Sequence, residues 1–264
     1  MNAFDYHRPA STADAIAALG RAADGRLIAG GQSLLPTMKL GLAAPTDLID
    51  LAGIASLRGI ARQSGAVTIG AMTPHAEVAH SDVVRSAIPA LASLADGIGD
   101  QQVRARGTIG GSLANNDPAA CYPSAVLALK AVIKTHRRTI DADAFFTGIY
   151  QTALDPQEVI ESVSFAQPLC AAYIKFRQPA SHYALVGVFV ARFADGVRVA
   201  VTGSAACAFR VHALEQALSA NWSPEAARAI KVDASELNSD LHASAEYRAH
   251  LIPVLAARAV VAAR

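Results

Sequence analysis

Thr108-Ile109-Gly110-Gly111-Ser112-Leu113-Ala114-Asn115-Asn116-Asp117-Pro118-Ala119-Ala120-Cys121 gathers a glycine pair, two hydroxyls, two amides and a carboxylate into one turn-prone run. Ile109, Leu113 and Ala114 separate the polar groups, so the run is more than a solvated loop. Adjacent glycines permit positive φ and let backbone N–H groups approach a ligand closely. Thr108 and Ser112 add hydroxyls that suit phosphate oxygens. Asn116-Asp117-Pro118 reads as a turn or a helix start, with Asp117 as cap and Pro118 at the first helical position. Amides at a helix start form an anion site. A lone Gly-Gly is more often a structural turn, and this run by itself leaves that alternative open.

An earlier stretch changes the balance. Ala29-Gly30-Gly31-Gln32-Ser33-Leu34-Leu35-Pro36 is a second glycine-hydroxyl loop, and it follows the strand-like Arg26-Leu27-Ile28. Two such loops suit an extended, doubly charged pyrophosphate. Neither has the Rossmann Gly-x-Gly-x-x-Gly pattern or the P-loop lysine, so a nucleotide here would be held by another fold's geometry.

The length of 264 residues allows two domains, and 52% hydrophobic residues argue for a large core and buried partner surfaces. A net charge of +1 gives no reason to propose nucleic acid. No uninterrupted apolar segment is long enough to cross a bilayer, and the start Met1-Asn2-Ala3-Phe4-Asp5-Tyr6 does not read as a signal peptide. Cys121, Cys170 and Cys207 are far apart, without Cys-x-x-Cys, which fits a reduced cytoplasm. They are too few for this chain alone to ligate an iron–sulfur cluster, so they read as small buried apolar side chains.

In chain order, Phe4 to Pro9 reads as an edge strand, Ala13 to Leu19 as a helix capped by Ser11 or Thr12, and Leu27-Ile28 as a strand. Leu34 to Leu40 reads as a helix and Leu48 to Leu51 as a strand, giving a β-α-β-α-β opening with a small parallel sheet. Ile54 to Ile60 and Ala66 to Ile69 read as strands, and a helical stretch follows Pro74. Ile88 to Leu94 reads as a helix, Gly97 to Gln102 as a polar turn, and Val103 to Arg106 as the run into the glycine loop that begins at Thr108. Pro123 to Leu129 reads as helix, Ala131 to Lys134 and Arg137 to Ile140 as strands, and Glu158 to Phe165 alternates as a strand. Gln167-Pro168 is the best boundary. Beyond it come three strands, Ala171 to Phe176, Leu185 to Phe193 and Val197 to Gly203, the last two joined by the Asp195-Gly196 hairpin. Helices over Val211 to Ser219, Pro224 to Ile230 and Ala245 to Ala263 complete an α+β unit.

No nucleophile–base arrangement stands out, so no catalytic residue is assigned. Ser33 lacks the glycine of a nucleophile elbow. His75, Glu77 and His80 invite a metal reading, but a spacing of five puts the histidines on different helix faces, and solvated or capping roles are preferred. Arg104 and Arg106 read as structural, with phosphate neutralisation as the alternative. Ser181-His182-Tyr183 reads either as an acid–base pair or as a junction loop.

The pattern from Ala29 to Pro36, followed by Gln102-Val103-Arg104-Ala105-Arg106-Gly107 and the run from Thr108 to Ala120, closely resembles the FAD-binding medium subunit of molybdenum hydroxylases. Xanthine dehydrogenase and aerobic carbon monoxide dehydrogenase are in this family, and the resemblance is closest to the latter's medium chain. It extends from Phe4-Asp5-Tyr6-His7-Arg8-Pro9 through Tyr173-Ile174-Lys175-Phe176-Arg177 to Tyr183-Ala184. Each loop alone is weak evidence, whereas both in order are specific.

The resemblance implies an α+β fold: a two-subdomain FAD-binding domain of the vanillyl-alcohol-oxidase (PCMH) type, then a C-terminal antiparallel sheet with helices. Residues 1–168 would form the first domain, with subdomains about 1–53 and 54–168, and 169–264 the second. Ala29, Gly30, Gly31, Gln32, Ser33, Thr108, Ile109, Gly110, Gly111 and Ser112 would wrap the FAD pyrophosphate and ribityl chain. Asp117 would bond the ribityl or ribose, and Ile160 would pack near the adenine or the ring system. Lys175 and Tyr183 would approach the isoalloxazine from the C-terminal domain. Cys121 and His182 stand where many members carry Asp; Cys121 cannot make that charged hydrogen bond, and the change at His182 counts against an acid–base role there.

The resemblance further implies a flavoprotein subunit in a dimer of heterotrimers. The molybdenum cofactor would sit in a large partner subunit and two [2Fe–2S] clusters in a small one, with electrons passing through FAD to an external acceptor. The location would be cytoplasmic, with or without peripheral attachment to the inner membrane face. A stand-alone FAD oxidoreductase with its own substrate pocket is the alternative, and a non-catalytic module that retains only the fold is a second.

Overall fold

The computed structural model describes residues 1–264. Strands Asp5–His7, Gly25–Ile28 and Asp47–Asp50 form a parallel sheet with the third strand in the middle. Helices Thr12–Arg21 and Leu34–Lys39 make the two crossovers, as the β-α-β-α-β reading requires. Ser11 starts the first helix: its Oγ accepts from the Asp14 amide at 3.1 Å and donates to the Asp14 carboxylate at 2.6 Å. Ala15, Ala18 and Leu19 pack on Ile49, Leu51, Ile54 and Leu57 in a small first core.

The strand expected over Ile54 to Ile60 is not formed. Leu51–Gly53 and Ala55–Leu57 are 3₁₀ turns, and the strand occupies Ile60–Gln63. The Asp50 carboxylate accepts the Ala52 amide at 2.9 Å and bends the chain at once. Leu51, Ile54 and Leu57 then point inward at a spacing of three, which suits 3₁₀ geometry rather than a pleat.

The central sheet is antiparallel throughout. Its spatial order is Ile60–Gln63, Ala66–Gly70, Ile160–Ala166, Val132–Thr135, Thr139–Asp141. Helices His75–His80, Asp82–Ala87, Pro89–Asp96, Gln101–Arg106, Ile109–Asn115 and Tyr122–Ala128 cover it. Ile69, Val163 and Phe165 meet Leu91, Leu113 and Tyr122 in the largest core. Val103 to Arg106, read as an approach to the loop, is helical because the Asp100 carboxylate caps Val103 at 2.8 Å.

The opening run also folds differently from its reading. Thr108 is an N-cap whose Oγ1 accepts from Gly111 at 3.1 Å, so the glycine pair forms the first turn of helix Ile109–Asn115. Asn116, left-handed at φ +42, closes that helix. Its buried amide donates to the carbonyls of Gly148 (2.9 Å) and Gln151 (2.7 Å), fixing the turn between the short strands Phe146–Gly148 and Gln151–Thr152, which the sequence reading missed. Asp117 caps no helix; its Oδ1 holds the Ala119 amide at 2.8 Å in a turn, and the next helix starts at Tyr122 with Pro123 in its first turn.

Strands Cys170–Arg177, Ala184–Phe193, Gly196–Thr202 and Phe209–Arg210 form the third sheet in sequence order. Val186, Val188, Val190, Val199 and Val201 face helices His212–Ala220 and Ala245–Ala262. Phe189, Ala191 and Ala200 face the other way and join the largest core beside helix Tyr122–Ala128. Burial on both faces explains why Ala184 to Ala191 reads as one apolar run without alternation. No helix is long and apolar enough to cross a membrane.

Gly110 is needed for packing. A Cβ there lies 2.8 Å from the Ala71 carbonyl oxygen and closer still to the Ala71 methyl. Gly110→Ala is expected to lower unfolding free energy by about 1–3 kcal/mol, read from the urea midpoint at constant slope.

Candidate functional site

The three sheets meet around a cleft of about 490 Å³. Ala29, Gly30, Gly31, Gln32 and Ser33 line one end. Thr108, Gly110, Gly111, Ser112 and Asp117 line the long wall, Ile160 the central sheet's side, and Lys175 and Tyr183 the C-terminal side. Ile109 is the exception among the residues read from sequence. It is fully buried in the core and does not reach the cleft.

The two loops offer different donors. The backbone N–H groups of Gly30, Gly31, Gln32, Ser33 and Leu34 find no acceptor in the protein, and Gly31 is left-handed at φ +73. They form a run of unpaired donors, suited to an anion. In the other loop the expected anion site is already filled by protein. Ile109 N donates to Thr73 O (3.2 Å), Gly110 N to Ala71 O (2.8 Å), and Gly111 N to Thr108 Oγ1. What this loop presents to the cleft is side-chain chemistry, namely the Ser112 hydroxyl and the Asn115 amide, both without a protein partner.

The glycines bring the loops to each other. A Cβ on Gly30 collides with the Arg106 carbonyl and comes within 2.8 Å of Gly107 Cα. One on Gly111 stands 3.4 Å from the Ala29 methyl. Residues far apart in sequence therefore share one wall.

Lys175 closes the C-terminal side. Its ammonium donates to Gly97 O at 2.6 Å and His182 O at 2.9 Å, and meets Cys121 Sγ at 3.5 Å. His182 is left-handed at φ +61. Tyr183 is half-exposed, and burial and the charge of Asp117 push its phenol up. Tyr150, which the sequence reading passed over, places its hydroxyl 3.5 Å from Asp117 Oδ2. From the third sheet, Thr202 Oγ1 bonds Ala120 O at 2.7 Å and Gly203 N bonds Pro118 O at 2.8 Å, which fixes the loop carrying Asp117 and Cys121.

Two further groups line the cleft. His75 is buried rather than solvated or capping: its ring packs on Tyr122 with centroids 5.3 Å apart, and its amide donates to Gly107 O at 2.9 Å. Burial and the nearby Arg104 push its pKa down to about 4, so it is neutral, and its Nδ1 has no partner. His80 is exposed and its Nδ1 bonds Ala76 O at 2.7 Å; no three metal-ligating side chains converge anywhere in the chain. Glu158, read only as a strand residue, is buried at the edge of the cleft. Arg138 at 2.8 Å, with the Asp155 amide and Thr135, lowers its pKa to about 2 despite burial.

Residues 2–168 match the family described as FAD binding domain in molybdopterin dehydrogenase. The chain is 37% identical to the carbon monoxide dehydrogenase medium chain of Hydrogenophaga pseudoflava, over 98% of this chain and 96% of that one. It is 38% identical to the nicotine 6-hydroxylase medium subunit of Paenarthrobacter nicotinovorans, over 100% of this chain and 98% of that subunit. A solved carbon monoxide dehydrogenase structure from H. pseudoflava superposes with a TM-score of 0.88 at 35% identity, covering 99% of this chain and 97% of that one.

Acid should weaken the fold in two phases. His75, depressed from 6.5 to about 4, contributes stability that is lost as pH falls through that interval, because the unfolded chain takes the proton first. Glu158, depressed from 4.5 to about 2, contributes stability present above 4.5 and lost as pH falls toward 2. Glu158→Gln should cost on the order of 3 kcal/mol at neutral pH and abolish the lower phase, measured by urea unfolding across pH.

Proposed function

The chain belongs to the family of FAD-binding domains of molybdopterin dehydrogenases, and from that premise we propose that it is the flavoprotein subunit of a molybdenum hydroxylase. It receives electrons from [2Fe–2S] clusters of a small partner subunit and hands them to an external acceptor. The substrate is oxidised at the molybdenum cofactor of a large partner subunit, in a cytoplasmic dimer of heterotrimers. The chain divides at Gln167–Pro168, where the strand order passes from the central to the third sheet.

One observation carries the reading: the unpaired amides of Gly30 to Leu34 open into the same cleft as the Ser112 hydroxyl and the Lys175 ammonium. That donor set fits FAD, with anion donors at one end, hydroxyl and carboxylate partners along the wall, and a cation at the other end. The amides of Gly30 to Ser33 hold the pyrophosphate. Ser112 and Asp117 bond the ribityl or ribose oxygens. Ile160 supplies apolar contact, and Tyr183 covers the isoalloxazine. Thr108 lines the wall as the cap of its helix, and Ile109 acts behind it in the core. FAD supplies the electron chemistry when bound. The protein holds it, limits water, and places the Lys175 charge where negative charge is favoured. Cys121 and His182 bring no carboxylate to that end.

The stand-alone oxidoreductase reading predicts substrate-dependent flavin bleaching by the isolated chain; the subunit reading predicts bleaching only with both partners present. A β-branched residue is disfavoured at the φ of Gly31. Gly31→Val should weaken FAD binding at least about tenfold, or about 1.4 kcal/mol, by flavin fluorescence titration with the fold intact by circular dichroism. Unchanged affinity overturns the loop assignment.

A further inference from the structure

Cys121 and Lys175 meet at the seam of the cleft. Cys121 precedes helix Tyr122–Ala128 and is 5% exposed; Lys175 lies on strand Cys170–Arg177 of the third sheet. Sγ and Nζ are 3.5 Å apart, and both residues line the cleft, so a small reagent inside it reaches both. The other bonds of Lys175 go to the carbonyls of Gly97 and His182, and no carboxylate pairs with it. On the same strand face, two residues back, the hydroxyl of Tyr173 is buried against Cys121. The thiol thus sits in a polar, water-poor pocket beside one amine. Cys170 and Cys207 are half-buried, and neither touches a lysine.

We propose that Cys121 and Lys175 form a peroxide-sensitive covalent switch across the cleft. Hydrogen peroxide oxidises the Cys121 thiol to a sulfenic acid: the O–O bond breaks, one oxygen joins sulfur as hydroxyl, and the other leaves as water. Sulfur gives up two electrons and peroxide takes them. Nitrogen condenses with sulfenic acids. Nζ of Lys175, after releasing one proton, forms the S–N bond; the S–O bond breaks and its oxygen leaves as water with a second proton from nitrogen. In sum, thiol, ammonium and one peroxide give the sulfenamide, two waters and one proton. The link ties the loop at Cys121 to the third sheet and removes the Lys175 charge from the cleft. It rests on the contact of these two side chains and not on the flavin reading.

The purified full chain, treated with peroxide, blocked for free thiols and digested, is read by peptide mass spectrometry. The expected product is a peptide pair joining Cys121 and Lys175, lighter than the two peptides by two hydrogens and separated again by excess thiol. Cys121→Ser, or Cys121→Ala should serine disturb the fold, loses the pair. Lys175→Arg loses the pair and leaves a sulfenic acid at Cys121 that dimedone traps. Cys121 left intact at a peroxide dose that oxidises Cys170 and Cys207 overturns the proposal. So does oxidation of Cys121 to sulfenic or sulfinic acid with Lys175 free.

Discussion

The close approach of the Gly30 backbone to the Arg106 carbonyl and Gly107 is the constraint on which the cleft depends. The small parallel sheet carries the first loop and the helical layer over the central sheet carries the second. Only because Gly30 has no Cβ can the two layers touch at this depth. Gly110 repeats the device on the other side, against Ala71 at the end of a central strand. The missing side chains of these glycines serve protein contacts, and they turn two distant segments into one surface. The consequence for binding is a division of labour. The first loop keeps its amides free, while the second spends its amides on Thr73 and Ala71 and offers side chains instead.

Much of this was legible in the order of residues. The β-α-β-α-β opening, the hairpin at Asp195-Gly196 and the long C-terminal helix follow from periodicity and turn chemistry alone. Both glycine loops were visible as candidates, and the structure sets them on a common cleft with Asp117, Ile160, Lys175 and Tyr183. What stayed hidden was mostly tertiary. Nothing local distinguishes a glycine that faces a ligand from one that faces Arg106. The inward turn of Leu51, Ile54 and Leu57 depends on the Asp50 side chain, and its spacing of three was the signal passed over. His75 read as polar, yet its place under the cleft is set by neighbours contributed from Gly107 and Tyr122. Glu158 read as one more strand residue, and only the arrival of Arg138 and Thr135 makes it a buried ion-pair centre.

The charges around the cleft are sorted by burial. Glu158 keeps its charge because Arg138 and two further donors satisfy it, whereas His75 gives its charge up because none does. Of the cations that line the cleft, Arg26 pairs with Asp24, whereas Lys175 is held by carbonyl dipoles with no carboxylate to neutralise it. A ligand entering the cleft meets unpaired amides, the Lys175 ammonium and a neutral imidazole.

The third sheet is sandwiched: one face on its own helices, the other on helix Tyr122–Ala128, every residue of which is buried. The division proposed at Gln167–Pro168 is therefore not a boundary in packing. A protease nick there would leave both fragments in a single particle, glued by Phe189, Ala191 and Ala200 and by the hydrogen bonds from Thr202 and Gly203 to the loop before Cys121. Neither piece carries a finished surface of its own: the first supplies both glycine loops of the cleft, and the second closes it with Lys175, Ser181, His182 and Tyr183.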